Sequence, residues 1–181
     1  MTDNTNRVPV FELHIRSLFR LLDREHMLGQ FDLWDLQSVW TNRVQIMDAV
    51  SGSRMPPLPK GGPWPMEFVQ LFQRWLTTGT DTQPGHHLIL AAPQGSYSVG
   101  VTGGNVSVSV KVGAPTHGCR AWFDMQATTE TERTYTLYLE PAYPDAPAAP
   151  QVLPVIESFP KNGITKVIVN DGNGRQEFPV S

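Results

Sequence analysis

The chain has 181 residues, of which 40% are hydrophobic and 17% are charged, and its net charge at pH 7 is −3. This composition excludes an intrinsically disordered chain, because enough apolar side chains are present to build a core. The scattered 14 basic and 17 acidic residues exclude a basic surface for nucleic acid. A single cysteine, Cys119, excludes an internal disulfide and a zinc site built on several cysteines.

The N-terminal residues 1–6 are polar and do not show a basic segment followed by an apolar one, so no signal peptide is expected. No apolar run approaches the roughly 18 residues that a membrane-spanning helix needs. A single thiol agrees with a reducing compartment. These features predict a cytoplasmic protein that does not contact a membrane.

In the first half of the chain, apolar residues recur at helical spacing. Three amphipathic stripes lie over Ile15–Leu22, Leu36–Val50 and Phe68–Leu76. Each predicted helix is short and would be marginal alone, so the three are expected to pack together in a bundle.

Residues at the ends of these stripes predict where the second and third helices begin and end. Asp35 is the expected N-cap of the second helix, and Gly52 its left-handed end. Pro65 suits the first position of the third helix, Glu67 its first turn, and Gly79 lies just beyond its end.

After Gly79 the apolar spacing changes to every second residue, most clearly over Val106–Val112, which is typical of strands. Gly103-Gly104 predicts a tight hairpin turn, and Asp171–Gly174 is the strongest hairpin signal in the chain. Roughly seven short strands joined by glycine and proline turns favour an antiparallel β-sandwich of the immunoglobulin-like kind. The predicted strands cover 97–102, 106–112, 120–125, 134–139, 152–159, 164–169 and 175–180.

The change of periodicity predicts an α+β protein with two domains. The helical domain covers residues 1–79 and the β-sandwich residues 86–181, joined by a polar linker over 80–85 that contains glycine and proline. Within the sandwich, the proline- and alanine-rich segment 142–154 is predicted to be an extended crossover.

The order of features in the helical domain resembles a class I cytochrome c. The first predicted helix runs into Leu22–His26, where the family has its haem-attachment motif, and a leucine-bearing segment and a second helix follow. A Met55-Pro56 loop and a tryptophan-bearing last helix, within 64–79, complete the order. The resemblance covers about the first 70 residues and leaves the β-sandwich aside.

The resemblance implies that His26 and Met55 stand at the positions of the two axial haem ligands, and imidazole with thioether is a competent pair. However, Leu22 and Glu25 stand where the family has its two thioether cysteines, so covalent haem attachment is excluded. The tryptophan and phenylalanine side chains can fill the interior instead. The domain is therefore expected to carry no cofactor, with non-covalent haem on His26 and Met55 as an alternative.

The remaining sequence predicts neither a catalytic residue nor a metal site. Ser98 lacks the flanking glycine and the following helix of a hydrolase nucleophile, and nothing orients a base toward Cys119. The neighbours His86-His87 would point to opposite faces of a strand. Asp171 begins a calcium-like run that a hairpin turn explains better.

Two surface features favour recognition of another molecule. If Tyr138 and the face carrying Thr134 and Thr136 look outward, they form a polar-aromatic surface. The segments 56–59 and 141–150 are stiff and rich in proline, so a partner would bind them at small entropic cost. The other aromatic residues in or beside the predicted strands are Tyr97, Trp122, Tyr135 and Tyr143.

The sequence therefore predicts a non-catalytic binding or accessory protein that docks to a partner protein or enzyme. One alternative is a haem or redox protein that uses His26 and Met55. Another is a small-ligand enzyme with its site at the domain junction, where His86, His87 or His117 would act. Neither nucleic acid nor a membrane is an expected partner.

Overall fold

The structure, a computed structural model, describes residues 8–57, 61–142 and 148–181. The chain divides into two compact units, Met1–His87 and Leu88–Ser181. Among the described residues, the first unit contains the helices and the second contains the strands. The predicted α+β class is therefore confirmed.

The N-terminal apolar stripe does not form one helix. A π-helical turn, Phe11–Ile15, and a 3-10 turn, Arg16–Leu18, come first, and Phe19 is then extended. Helix α1 covers Leu21–Met27. The prediction of a continuous helix over Ile15–Leu22 is therefore wrong.

The helix breaks because Arg20 and Asp23 start a new one. The Asp23 carboxylate accepts hydrogen bonds from the Arg20 backbone N–H at 3.1 Å and from its guanidinium at 2.9 and 2.8 Å. The apolar stripe is divided as a result. Ile15 and Phe19 are buried, whereas the Leu22 side chain is 43% exposed, and α1 buries none of its residues.

The second predicted helix is two helices, α2 over Leu36–Thr41 and α3 over Arg43–Ser51. The helix is interrupted at Asn42. Its side-chain amide donates to the Ser38 carbonyl at 2.8 Å and so competes with the regular backbone hydrogen bonds. The predicted N-cap of α2 is confirmed, because Asp35 accepts from the Ser38 N–H at 2.8 Å.

The left-handed residue at the end of α3 is Ser53, with φ of 53°, and not Gly52, whose φ is −77°. The Ser53 N–H donates to the Val50 carbonyl at 3.2 Å, and the Arg54 N–H to the Ala49 carbonyl at 3.0 Å. This pair of bonds defines a Schellman end, in which the left-handed residue follows the C-cap. The prediction for Gly52 is therefore wrong by one residue.

Helix α4 covers Met66–Leu76, so the described residues contain four α-helices instead of the predicted three. Pro65 has an extended conformation and caps α4 instead of occupying its first position, and Glu67 lies in the first turn as predicted. One face of α4 buries Phe72 and Trp75 completely.

Aromatic rings fill the interior of the helical unit. The Trp75 ring lies 5.3 Å from Trp40, 5.5 Å from Phe11 and 5.6 Å from Phe72, centroid to centroid. Phe19 packs edge-on against Phe72 at 6.2 Å. Such ring pairs stabilise a core beyond the area that they bury.

Residues 80–85, the predicted linker, lie within the first unit. The His86 carbonyl accepts hydrogen bonds from the Trp75 indole N–H at 2.9 Å and from the Phe11 N–H at 2.8 Å. Gly85 is buried against Trp75, and a Cβ at this position would approach the indole to 2.8 Å. The chain returns to the aromatic interior before it enters the second unit.

The second unit has two sheets. In the larger one, β5 pairs with β4 along one edge. Along its other edge, β5 pairs first with β7 and then with β1, and β8 pairs with β7. In the smaller one, β3 lies between β2 and β6. The strands are β1 Ile89–Leu90, β2 Ser98–Thr102, β3 Asn105–Thr116, β4 Arg120–Thr128, β5 Glu132–Glu140, β6 Ala148–Pro160, β7 Lys166–Asp171 and β8 Gly174–Pro179.

Both predicted hairpins are confirmed. Thr102 pairs with Asn105 across Gly103-Gly104, where φ is 59° and 81°. Asp171 pairs with Gly174 across the second turn. Glycine is required at positions 103 and 104 because their left-handed φ values are costly for other residues.

The prediction of a wholly antiparallel arrangement is wrong for one pair. β5 and β7 run parallel, with Glu132 opposite Lys166 and Thr136 opposite Asn170. The reason is that β6, which lies between them in sequence, belongs to the other sheet, so the chain re-enters the larger sheet in the direction of β5.

The proline-rich segment is also assigned differently from the prediction. Residues 148–154 of the predicted crossover 142–154 form the first part of β6. Tyr143 and residues 144–147 lie outside the described residues, as do residues 58–60 of the other proline-rich segment.

The alternating valines of β3 point into a core that both sheets share. Val106, Val108 and Val112 are fully buried and belong to the same apolar cluster as Tyr135 and Leu137 of β5. The period-two pattern of β3 therefore gave its buried face correctly.

A buried carboxylate in this unit depends on one tyrosine. Asp171 is 2% exposed and accepts hydrogen bonds from the Tyr97 hydroxyl and the Asn173 N–H, both at 2.7 Å. Burial raises the pKa of Tyr97 well above its usual value, and the neighbouring carboxylate raises it further. The phenol therefore stays protonated and donates.

We expect Tyr97→Phe to lower the free energy of unfolding by about 1–3 kcal/mol, because it removes a donor from the buried Asp171 carboxylate. Urea unfolding followed by circular dichroism measures the change. Tyr135→Phe is the matched control, since Tyr135 is also a buried tyrosine of this unit, while the hydrogen bonds to Asp171 come from Tyr97 and the Asn173 N–H. Equal losses in the two variants would contradict the role of the Tyr97–Asp171 bond.

Candidate binding groove in the helical unit

A half-open groove of about 290 Å³ lies in the helical unit, just below the range of about 300–1,000 Å³ for small-molecule sites. It is lined by residues of α1 and α3, by residues of the segment after each of these helices, and by Phe19 and Trp64. Twelve lining side chains are apolar, namely Phe19, Leu22, Met27, Phe31, Leu33, Ile46, Ala49, Val50, Met55, Pro56, Pro57 and Trp64, and four are polar, namely Asp23, His26, Gln30 and Gln45. This set of residues defines the groove.

Helix α1 supplies one wall of the groove. Leu22 and His26 are one turn apart, and residues four apart lie on the same face of a helix. The His26 ring Nδ1 lies 3.1 Å from the Leu22 carbonyl and donates to it. This bond orients the imidazole and assigns its Nδ1 the proton.

The segment that joins α1 to α2 is held by an ion pair beneath a tryptophan. The Arg24 guanidinium bonds both oxygens of Asp32 at 2.7 Å and lies 4.6 Å from the centre of the Trp34 ring. The Trp34 indole N–H in turn donates to the Phe19 carbonyl at 2.9 Å. Leu33, which lines the groove, therefore lies between two residues with fixed side chains, Asp32 and Trp34.

The Schellman end of α3 and the residues after it supply another wall of the groove. The Met55 N–H donates to the Ala49 carbonyl at 3.2 Å, beside the Arg54 bond to the same atom. The Met55 side chain is 40% exposed. Its backbone is therefore fixed, while the residue as a whole remains partly accessible to solvent.

Among the described lining residues of the groove, Asp23 is the single acidic one, and the side chain of Arg20 is paired with it at 2.8 Å. The described lining therefore combines apolar walls with a few hydrogen-bonding side chains, the composition of a recognition pocket.

His26 and Met55, paired by the cytochrome c resemblance, both line this groove. Pro56 and Pro57, from the proline-rich segment expected to bind a partner, also line it, and the remaining lining residues were not predicted. Gln30 and Phe31 carry no helical signal, and Ala49 is too small to mark a site. The one sequence signal for the groove was an apolar residue within a charged helix, such as Leu22 in α1, because it indicates an apolar surface that the helix does not bury.

The histidines proposed for a junction site have separate local roles. His87 Nδ1 lies 2.9 Å from the Gly85 carbonyl, and the His86 N–H donates to the Thr78 hydroxyl at 2.8 Å. His117 Nδ1 lies 3.3 Å from Gln151 Oε1. Among the described residues, no three histidine, cysteine, aspartate or glutamate side chains form a group that would hold a metal ion.

The polar-aromatic face is partly covered. Trp122 and Tyr138 pair across β4 and β5, with ring centroids 6.3 Å apart. Thr136 lies between Thr134 and Tyr138 on the same face of β5. It is only 7% exposed, so little of it is available at the surface. Tyr135 points to the opposite, buried face.

In the part of the chain that the structure describes, none of the helices is both long and apolar enough to cross a bilayer. A scan against protein-family models matches no family, and searches of curated proteins and of solved structures find no significantly similar protein. No relative therefore transfers a role to His26, Met55 or any other residue of the groove.

The ion pair beneath Trp34 gives the fold an acid-sensitive contact. The hydrogen bonds from Arg24 lower the pKa of Asp32 from its ordinary 3.8 to about 2, and the Trp34 N–H adds to this effect. Because the pKa is lower in the folded chain, the ionised carboxylate stabilises the fold above pH 3.8. That contribution is lost as the pH falls through about 2.

We expect carboxyl NMR titration to place the Asp32 pKa near 2, and Arg24→Met to return it toward its ordinary value. Arg54→Met is the control, since Arg54 pairs with Asp48 instead. An Asp32 pKa that is the same in Arg24→Met as in the wild type would show that the ion pair does not set it.

Proposed function

We propose that this protein is a non-catalytic binding or accessory protein, and that the groove docks apolar side chains of a partner protein. The observation that carries the proposal is a half-open apolar groove whose walls include Leu22 and Met55, 43% and 40% exposed. Apolar surface left open on a folded unit marks an interaction site.

A protein partner fits better than a small molecule because the apolar surface extends beyond the groove. Trp64 packs edge-on against Phe68 at 6.3 Å, and the Phe68 side chain is 40% exposed. Leu21, next to Leu22 on α1, is 56% exposed. A partner would place one anchor side chain in the groove and cover the apolar rim around it.

The polar lining also favours binding over chemistry. Asp23 is engaged by Arg20, and the His26 Nδ1–H by a carbonyl of its own helix. Flexible methionine side chains, such as Met27 and Met55, adapt to the shape of an apolar anchor.

For the second unit we infer a β-sandwich. The two sheets contribute to one buried cluster, in which the β3 valines meet Leu137 and Leu139 of β5. In this proposal the sandwich carries the helical unit as a binding module, and the parallel pair of β5 and β7 distinguishes it from the wholly antiparallel sandwich that the sequence predicted.

Non-covalent haem binding is a second candidate, supported by the position of His26 and Met55 in the same groove. The contact of His26 Nδ1 with the Leu22 carbonyl resembles the outer contact that orients a ligating histidine. Haem would supply redox chemistry, and these two side chains would hold its iron. The fit is limited by Phe19 and Trp64, whose rings pack 5.3 Å apart at one wall.

Ala49→Phe tests the docking proposal, because it places a ring in the groove from the last turn of α3. With each protein as bait in an extract, we expect a stoichiometric partner on the wild type and at least tenfold weaker binding to Ala49→Phe. Val44→Phe is the matched control, since Val44 lies on the same helix, is 73% exposed and does not line the groove. Titration of the purified partner gives the affinities. Undiminished binding to Ala49→Phe would refute docking in the groove.

Absorption spectra after addition of hemin separate the two candidates. Partner docking predicts that any Soret change is the same in the wild type, His26→Ala and Met55→Ala, because the hemin would be bound without those ligands. Sharp low-spin bands that vanish in both variants would establish the haem function instead, since both axial ligands are needed for them.

A further inference from the structure

Two of the six methionines of the chain line the groove, Met27 and Met55. Met27 is partly buried against the aromatic interior, whereas Met55 is 40% exposed. Met66 and Met125 are more exposed, at 67% and 55%, but neither lines the groove. Among the described methionines, Met55 is therefore the one that both lines the groove and is exposed to solvent.

An exposed thioether reacts with peroxides. One peroxide oxygen bonds to the sulfur, the O–O bond breaks, and with hydrogen peroxide the other oxygen leaves as water. The sulfur loses two electrons and the peroxide gains them, so the reaction needs no further reactant. The product, methionine sulfoxide, is polar and is returned to methionine by reductases.

We propose that oxidation of Met55 by a peroxide switches off binding in the groove, an inference that rests on the proposed binding function. The sulfoxide oxygen is a strong hydrogen-bond acceptor that water solvates in the open groove. An apolar occupant would remove that water, and burying an unpaired polar group is costly. Oxidation therefore weakens binding without a change in the walls around it.

The structure indicates that the effect stays local. The Met55 backbone is held through the Ala49 carbonyl, and the adjacent ring of Trp64 is fixed by Phe19 and Phe72 at 5.3 and 6.0 Å. Met55 contributes no side chain to the buried cluster of the helical unit. Its oxidation should therefore leave the fold intact while it changes the groove.

The test uses the full chain and the fluorescent apolar dye anilinonaphthalene sulfonate. We expect the dye to bind the reduced wild type, and Ala49→Phe to weaken this binding. After treatment with hydrogen peroxide, the wild type and Met66→Leu should each lose affinity about tenfold. Met55→Leu should bind the dye equally well before and after the treatment, because leucine cannot be oxidised.

Mass spectrometry of the peptides locates each sulfoxide, and a methionine sulfoxide reductase should restore dye binding to the oxidised wild type. Equal loss in Met55→Leu and the wild type, or full affinity with Met55 shown to be oxidised, would overturn the switch while leaving the groove in place. Dye that does not bind the reduced protein, or binds Ala49→Phe equally well, would contradict the proposed groove and the switch with it.

Discussion

The helical unit depends on the cluster of rings around Trp75. This indole contacts rings from the N-terminal turn, α2 and α4, and its N–H fixes the carbonyl of His86. One side chain thus joins three parts of the unit and the chain that leaves it. Because the rings occupy the interior, the remaining space lies at the side, between α1 and the end of α3, where the groove is found.

Helix α1 explains why that space stays open. It is attached by hydrogen bonds and ion pairs, Arg20 with Asp23 and Arg24 with Asp32, and not by burial of its own side chains. Leu21 and Leu22 consequently form an exposed apolar wall, while Met27 packs against the aromatic interior. Such a wall costs free energy in water, and a partner that covers it recovers that cost. This is the physical basis for assigning binding to the groove.

Where a single local interaction decided the structure, the sequence was informative. The β3 valines alternate because one sheet face is buried, and the glycine-rich turns demand conformations that few residues adopt, so these strands and hairpins were predicted correctly. Asp35 was assigned as an N-cap for the same reason. The helix breaks at Arg20 and Asn42 were missed, since each depends on a side chain that competes with the backbone within an otherwise regular apolar pattern.

By itself, the sequence determined the α+β class, the buried face of β3, both hairpins and the aromatic composition of the helical interior. Tertiary structure alone decided that β5 and β7 run parallel, because the direction of a strand depends on which sheet the intervening β6 joins. It also decided that His26 and Met55 line one groove with Gln30, Phe31 and Ala49. A groove is a space between elements, and its walls are set by packing distances that no local pattern of residues encodes.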